Sequence, residues 1–97
     1  MNKEEALTAI VRHLELCGGK PNDWYIATTN DVGRCLQIFG IDKIRDIWIA
    51  RELDSVEEAN WLKNELIENF HMNYRDEKEQ GTHVIAYKGK LFANSLI

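Results

Sequence analysis

The chain has 97 residues, of which 44% are apolar and 29% are charged, and its formal net charge is −4. This length suits one small domain spanning residues 1–97, and an acidic chain without a basic cluster disfavours nonspecific nucleic-acid binding, which depends on neutralising phosphates. No apolar run approaches the roughly 20 residues of a membrane helix, and the first residues lack the pattern of a secretory signal, so we expect no membrane association.

The first predicted element is an amphipathic helix over residues 3–17, in which apolar side chains recur at helical spacing. Its apolar positions are Ala6, Leu7, Ile10, Val11, Leu14 and Cys17. His13 falls at the edge of this stripe, where we expect a boundary residue rather than a metal ligand. Gly18 and Gly19 stop the helix, and the segment PND turns the chain.

The stretch WYIATTND then passes from a strand into a helix. Residues 24–29 favour a strand, and Asn30 or Asp31 can cap the next helix because their side-chain oxygens accept its unpaired N–H groups. That helix is short and ends near Phe39, with Gly40 at its C-terminal cap. Junctions of this kind often bind phosphates or metal ions, so this one is a candidate site.

A second strand is predicted over residues 46–53, followed by the longest helix, over about 55–70. One strand face carries Ile47, Ile49, Arg51 and Leu53, and the other carries Trp48, Ala50 and Glu52. Ser55 and Glu58 form a capping-box pattern. The apolar face of the helix contains Val56, Ala59, Leu62, Leu66, Ile67 and Phe70.

The remaining segments are a polar connection over residues 71–81, a third strand over 83–88 and a tail with little predicted structure. Cys17 and Cys35 lie in separate apolar patterns and form no CxxC pair. We interpret them as reduced core thiols, which favours a cytoplasmic protein.

These segments resemble the GIY-YIG nuclease domain over roughly residues 24–88. WYIATTND resembles the YIG strand of that family, SVEEANWLKNELI its later helix, and HVIAYKGK its closing strand. The resemblance implies an α+β fold with a small antiparallel three-stranded sheet flanked by helices. The family's N-terminal GIY strand is not visible, because the predicted helix over 3–17 occupies that part of the chain.

The GIY-YIG family hydrolyses phosphodiesters with one divalent metal held by a glutamate, an arginine that clamps the phosphate, and a tyrosine that helps to activate water. By resemblance, the tyrosine falls at Tyr25, the arginine at Cys35, the motif's histidine at Phe39 and the glutamate at Lys63; Ala27 replaces the glycine of YIG. The resemblance thus implies a site that has lost three catalytic groups. No metal or other cofactor is then expected, and Mg²⁺ or Mn²⁺ only if the ligands have been rearranged.

Neighbouring residues do not restore the missing groups. Arg34 lies one residue from the clamp position, and the 100° turn per helical residue points it away from the apolar side of its helix, towards solvent. Lys63 falls inside the apolar arc of the long helix, where its ammonium must reach the surface, pair with a carboxylate or face a cleft. The candidate carboxylates are Asp31, Asp54 and Glu52.

The cleft candidates are therefore Tyr25, Arg34, Cys35 and Lys63, with no confident catalytic or metal-binding residue. The leading hypothesis is a catalytically inactive GIY-YIG-like binding or interaction module. One alternative is a divalent-metal-dependent nuclease with a rearranged site, and the other is a small protein-interaction or oligomerisation domain unrelated to nucleic acid.

The sequence does not identify the partner, which is either a protein or weakly bound nucleic acid. Trp61 points away from the apolar arc of its helix, and an exposed Trp is uncommon. It either covers the N-terminal helix or belongs to an interface, so a homodimer through Trp61 or through the N-terminal helix is a further hypothesis. Trp24 and Trp48 are expected to be core or sheet-face aromatics.

Overall fold

A computed structural model describes residues 2–18, 20–74 and 80–89. The predicted tail over residues 89–97 therefore lies outside the described residues except for Gly89. The elements in chain order are α1 (Lys3–Cys17), a 3₁₀ turn (Pro21–Asp23), β1 (Trp24–Thr29), α2 (Val32–Ile38), β2 (Trp48–Glu52), α3 (Val56–Phe70), β3 (Asn73–Tyr74) and β4 (His83–Lys88). The fold is α+β, as expected, and no helix among these residues is both long and apolar enough to cross a membrane.

The sheet differs from the prediction of three antiparallel strands. It has four strands in the order β2-β4-β1-β3, and it is mixed: β4 pairs antiparallel with both β1 and β2, whereas β3 pairs parallel with β1. The extra strand arises because α3 carries the chain back to the level at which β1 begins. His71 then ends α3 in a left-handed conformation (φ 60°), and the next residues pair with Tyr25 and Ile26.

The helices cover opposite faces of this sheet. On one face, which we call the α1/α3 face, both long helices pack against Trp24, Ile26, Ile49, Val84 and Ala86. On the other, the α2 face, α2 and the loop after it pack against Ala27, Ile85 and Tyr87. The predicted alternation of β2 is confirmed, because Ile49 belongs to the first core and Trp48 and Ala50 border the second.

Local signals set the ends of the helices. Asn2 begins α1 with a capping box, Asp31 rather than Asn30 caps α2, and the Ser55 side chain accepts from the Glu58 N–H at 3.1 Å at the start of α3. Gly18 and Gly40, at φ 77° and 72°, follow the ends of α1 and α2 in a conformation that glycine adopts without strain. The caps of α2 and α3 and the glycines after α1 and α2 were predicted from the sequence, whereas the Asn2 capping box was not.

Candidate functional site

The strand-to-helix junction at Thr29–Asp31 uses its polar groups within the protein. The fully buried Thr29 hydroxyl accepts from the Asp31 N–H at 3.0 Å and donates to the Asp31 carbonyl at 3.2 Å. The Asp31 carboxylate accepts from the Arg34 N–H at 3.0 Å, and the Asn30 side chain accepts from the Thr82 N–H at 3.4 Å. These bonds cap α2 and attach the start of β4 to the end of β1.

Gly81 explains how closely those two segments approach each other. A Cβ atom built on Gly81 would lie 2.1 Å from the Thr29 carbonyl carbon and 2.3 Å from the Asn30 nitrogen, both backbone atoms. Only glycine allows this contact. The junction therefore has a clear structural role as the place where β1, α2 and β4 are joined.

Tyr25 and Cys35 lie on the α2 face. Cys35 is 3% exposed in the core beneath α2, and the half-buried Tyr25 ring stacks on Tyr87 with the centroids 5.5 Å apart. Tyr87 in turn stacks on Phe39 at 5.2 Å. Arg34 is exposed on α2, as its position in the helix predicts. The positions on this face to which the resemblance assigns catalytic residues, Tyr25, Cys35 and Phe39, thus belong to an aromatic stack and the apolar core beside it.

Lys63 lies on the other face of the sheet. It belongs to α3, whose buried residues pack into the α1/α3 core, and its ammonium lies 6.0 Å from the centre of the Tyr74 ring. None of the three carboxylates considered for it forms an ion pair with Lys63 among the described residues. Since α2 and α3 cover opposite faces, the structure does not bring Lys63 to Tyr25 and Cys35, and the four cleft candidates do not share one cleft.

A different concave site lies between α1 and the edge strand β2. This groove has a volume of about 600 Å³. From α1 it is lined by Glu4, Glu5, Thr8, Ala9, Arg12, His13 and Leu16, and from β2 by Ile49 and Arg51. We call it the α1–β2 groove.

Apolar and cationic groups meet in the α1–β2 groove. Leu16 is 80% exposed there, although it is a large aliphatic side chain. Arg12 and Arg51 supply two guanidinium groups, and within the described part of the chain neither forms an ion pair with a carboxylate. The acidic side chains, Glu4 and Glu5, lie in the first turn of α1. The groove therefore has an apolar wall and two cations available to a ligand.

The pKa of His13 is affected by its surroundings in the groove. Its pKa is lowered below the ordinary value of 6.5, first because burial disfavours the charged imidazolium and second because the Arg51 guanidinium is close. The ring also lies edge-on to Trp24, with centroids 5.9 Å apart, and its Nε2 is 3.5 Å from the Cys17 sulfur. His13 is thus a boundary residue between core and groove, as its place on α1 predicts.

The outer edge of β2 adjoins the groove. The Leu53 N–H donates to the Thr82 carbonyl, and the Ile47 carbonyl accepts from the Lys88 N–H. The odd-numbered residues along β2 therefore direct their backbone groups towards β4. The backbone groups of the alternate residues Trp48, Ala50 and Glu52 consequently point away from the sheet. No other described strand pairs with them.

Sequence reasoning did not identify this groove, because its two walls are more than thirty residues apart in the chain. One signal was present: Arg51 lies on the same predicted face of β2 as Ile47, Ile49 and Leu53. A cation on an apolar strand face indicates that the face is incompletely covered there.

Trp61 adopts one of its two predicted roles. It is partly buried against the α1/α3 core, and the Lys3 ammonium lies 4.7 Å from the centre of the Trp61 ring. Trp61 therefore packs on the N-terminal helix within the same molecule. The hypothesis of a homodimer through Trp61 or through the N-terminal helix is not addressed by these contacts.

Comparisons with known proteins give no family for the chain: no family model matches it, and no curated protein or solved structure is significantly similar. Among the described residues, no group of three or more His, Cys, Asp and Glu side chains could hold a metal ion. The GIY-YIG resemblance therefore stays a prediction.

Proposed function

We propose that the protein is a binding module without nuclease chemistry, and that it binds a segment of another protein in the α1–β2 groove. The observation that carries the proposal is the coincidence of three features in one place. Three features border the same groove: an edge of β2 with which no described strand pairs, an 80% exposed Leu16, and two arginines without a carboxylate partner among residues 2–18, 20–74 and 80–89. Each feature offers groups to which a docked segment could bind: backbone groups, an apolar side chain and guanidinium groups without a carboxylate counter-charge among the described residues.

The loss of nuclease chemistry is inferred from the residues that the resemblance places at the catalytic positions. A thiol at Cys35 cannot clamp a phosphate as a guanidinium does, and an ammonium at Lys63 repels a divalent cation. Their positions on opposite faces of the sheet are consistent with this proposal. Incubation with single- and double-stranded DNA and RNA in Mg²⁺ or Mn²⁺ tests it, because cleavage that disappears in Tyr25→Phe would overturn it.

The binding proposal is tested with a random-peptide library displayed on phage and selected on the folded protein. Two variants serve for counter-selection. Ala50→Pro removes an N–H that points away from β4, so the ladder inside the sheet keeps its hydrogen bonds. Leu16→Glu places a charge in the groove at a position that is already solvated. Circular dichroism and thermal melting confirm that both variants are folded.

The expected result is a set of peptides that bind the wild type and lose binding to both variants. Phe39→Leu, on the α2 face, is the matched control and should keep binding. Enrichment of peptides that bind all four proteins equally would overturn the proposal. So would the failure to find any peptide with a Kd below about 100 μM, which corresponds to about −5.5 kcal/mol.

A further inference from the structure

We infer that the segment bound in the α1–β2 groove is an extended strand of a partner protein, carrying an aspartate or glutamate two residues from an apolar side chain. This inference rests on the proposed function and specifies its ligand. It follows from the backbone direction of β2, from the position of the Arg51 guanidinium, and from the alternation of side chains along a strand.

Arg51 links recognition of a carboxylate to strand pairing. Its Nη1 donates to the Ala50 carbonyl at 2.7 Å, so the guanidinium covers one of the outward acceptors of the β2 edge. A carboxylate is a stronger partner for a guanidinium than a neutral carbonyl is. If an acidic side chain of the ligand binds the Arg51 guanidinium, the Ala50 carbonyl becomes free to accept an N–H from the incoming strand.

The spacing of the acidic and apolar positions follows from β2 itself. Ile49 and Arg51 are two residues apart and share the α1/α3 face of the sheet. Side chains of a strand added to β2 alternate with the same period, so neighbours on that face are also two residues apart. One of them would contact Ile49 and Leu16, and the other would reach Arg51 and Arg12.

A second copy of this chain is a poorer occupant of the β2 edge. In a symmetric antiparallel pairing of β2 with itself, the residue opposite Arg51 comes from the same face, which carries Ile49, Arg51 and Leu53. The strand's only carboxylate, on Glu52, is on the other face. Within the paired strands, the Arg51 side chain of each copy would therefore not face a carboxylate.

Nucleic acid is also disfavoured as the occupant. The groove contains Glu4 and Glu5 beside its two arginines, and the chain carries a net charge of −4. A polyanion that fills the groove would pass Glu4 and Glu5 and would also meet the overall negative charge. A single carboxylate can instead bind at Arg12, which lies about 12 Å along α1 from Glu4.

A peptide array tests the inference directly. Each peptide has about ten residues in a threonine-serine background, with isoleucine at one position and Asp, Asn or Lys two residues later, in both chain orders. Binding is measured by fluorescence polarisation against the wild type, Arg51→Gln and Arg12→Gln. Arg45→Gln, an exposed arginine outside the groove, is the charge-matched control. A single-stranded oligonucleotide is measured in the same way to test for nucleic-acid binding. Light scattering of the protein alone tests for a dimer.

The expected result is that Asp peptides bind at least about tenfold more tightly than Asn peptides to the wild type, as a charge-assisted hydrogen bond predicts. The Lys peptides should bind most weakly. The Asp preference should disappear in Arg51→Gln and remain in Arg45→Gln. Moving the acid to one or three residues from isoleucine should also remove it.

Other outcomes overturn the inference in distinguishable ways. Apolar peptides from the phage selection that bind the groove without any preference for an acid would refute the inference and leave the proposed function standing. Oligonucleotide binding that is lost in Arg51→Gln, or a concentration-dependent dimer lost in Ala50→Pro, would replace the peptide by another occupant. Peptides that bind equally to the groove variants would refute both proposals.

Discussion

The Thr29–Asp31 junction and the α1–β2 groove both present polar groups at the boundary of the sheet, and they use them in opposite ways. At the junction, a hydroxyl, a carboxylate and an amide oxygen are hydrogen-bonded to neighbouring backbone, so they serve the fold. In the groove, Arg12 and Arg51 lack carboxylate partners among the described residues, and no described strand pairs with the adjacent edge of β2. A sequence motif suggests chemistry at the first region, but the second region has the groups that we propose bind a ligand.

The largest expected effect comes from Gly81, which tests the structural role of the junction. Gly81→Ala would place a methyl group 2.1 Å from the Thr29 backbone, where no flexible side chain can yield. We expect a loss of at least about 3 kcal/mol in the free energy of unfolding, measured by urea denaturation.

Gly33→Ala is the matched control for Gly81. A Cβ on Gly33 would meet the Lys43 Nζ at 3.5 Å and the Asp31 Oδ1 at 3.8 Å, which are ordinary van der Waals contacts, and alanine favours a helix over glycine. We expect Gly33→Ala to be neutral or to stabilise the protein by up to about 1 kcal/mol. A Gly81→Ala protein as stable as Gly33→Ala would show that β1 and β4 are not joined in this way.

A second prediction tests whether Cys35 and Lys63, two positions that the resemblance assigns to catalysis, share a cleft. Cys35→Arg would introduce a charge at a 3% exposed position in the core under α2, and we expect it to cost about 2–3 kcal/mol. Lys63→Glu removes only a contact with the Tyr74 ring, 6.0 Å away, and should cost less than about 1 kcal/mol. If the two positions shared a cleft, the double variant would instead recover stability relative to Cys35→Arg, which thermal melting would reveal.

The groove should behave as a surface that stability does not require. Leu16 is 80% exposed, so Leu16→Gln should change the free energy of unfolding by no more than about 0.5 kcal/mol. The same substitution should weaken every peptide selected on the groove. A large loss of stability in Leu16→Gln would mean that Leu16 packs within the fold, and it would contradict the assignment of the groove as a binding surface.

The smallest expected effect is a pH dependence from His13. Its folded-state pKa lies below 6.5, so the folded protein binds fewer protons than the unfolded chain, and stability should fall as the pH drops from 6.5 through the folded pKa. His13→Gln should remove this component. In Arg51→Gln the pKa of His13 should rise, which NMR titration of the ring would measure. The other charged groups that line the groove, Glu4, Glu5 and Arg12, are unchanged in this variant. An unchanged pKa would show that the Arg51 guanidinium does not lower the pKa of His13.

The sequence predicted most of the elements because their signals are local. The apolar stripes of α1 and α3, the alternation in β2 and the glycines after α1 and α2 each act within a few residues. The strand β3 was missed, because Asn73–Tyr74 has two residues in a polar segment and pairs only through the path of α3. Its omission is why a three-stranded antiparallel sheet was expected and a four-stranded mixed sheet is found.

The candidate site was less predictable, because it depends on which elements pack together. Spacing along α3 placed Lys63 near its apolar arc, but only the packing of α2 and α3 on opposite faces separates Lys63 from Tyr25. In the same way, Arg12 and Arg51 come to line one groove through the packing of α1 on β2. Neither relation is contained in a helical or strand period.

The most direct test of the binding account is an amide ¹H–¹⁵N NMR titration with the tightest-binding acidic peptide from the array. The account predicts that shift changes concentrate on β2 and on the groove side of α1, including Ala9, Leu16 and Ala50. The amides of Thr29, Asp31 and Cys35 should stay nearly unchanged. Shift changes centred on that junction, with β2 unaffected, would contradict the account.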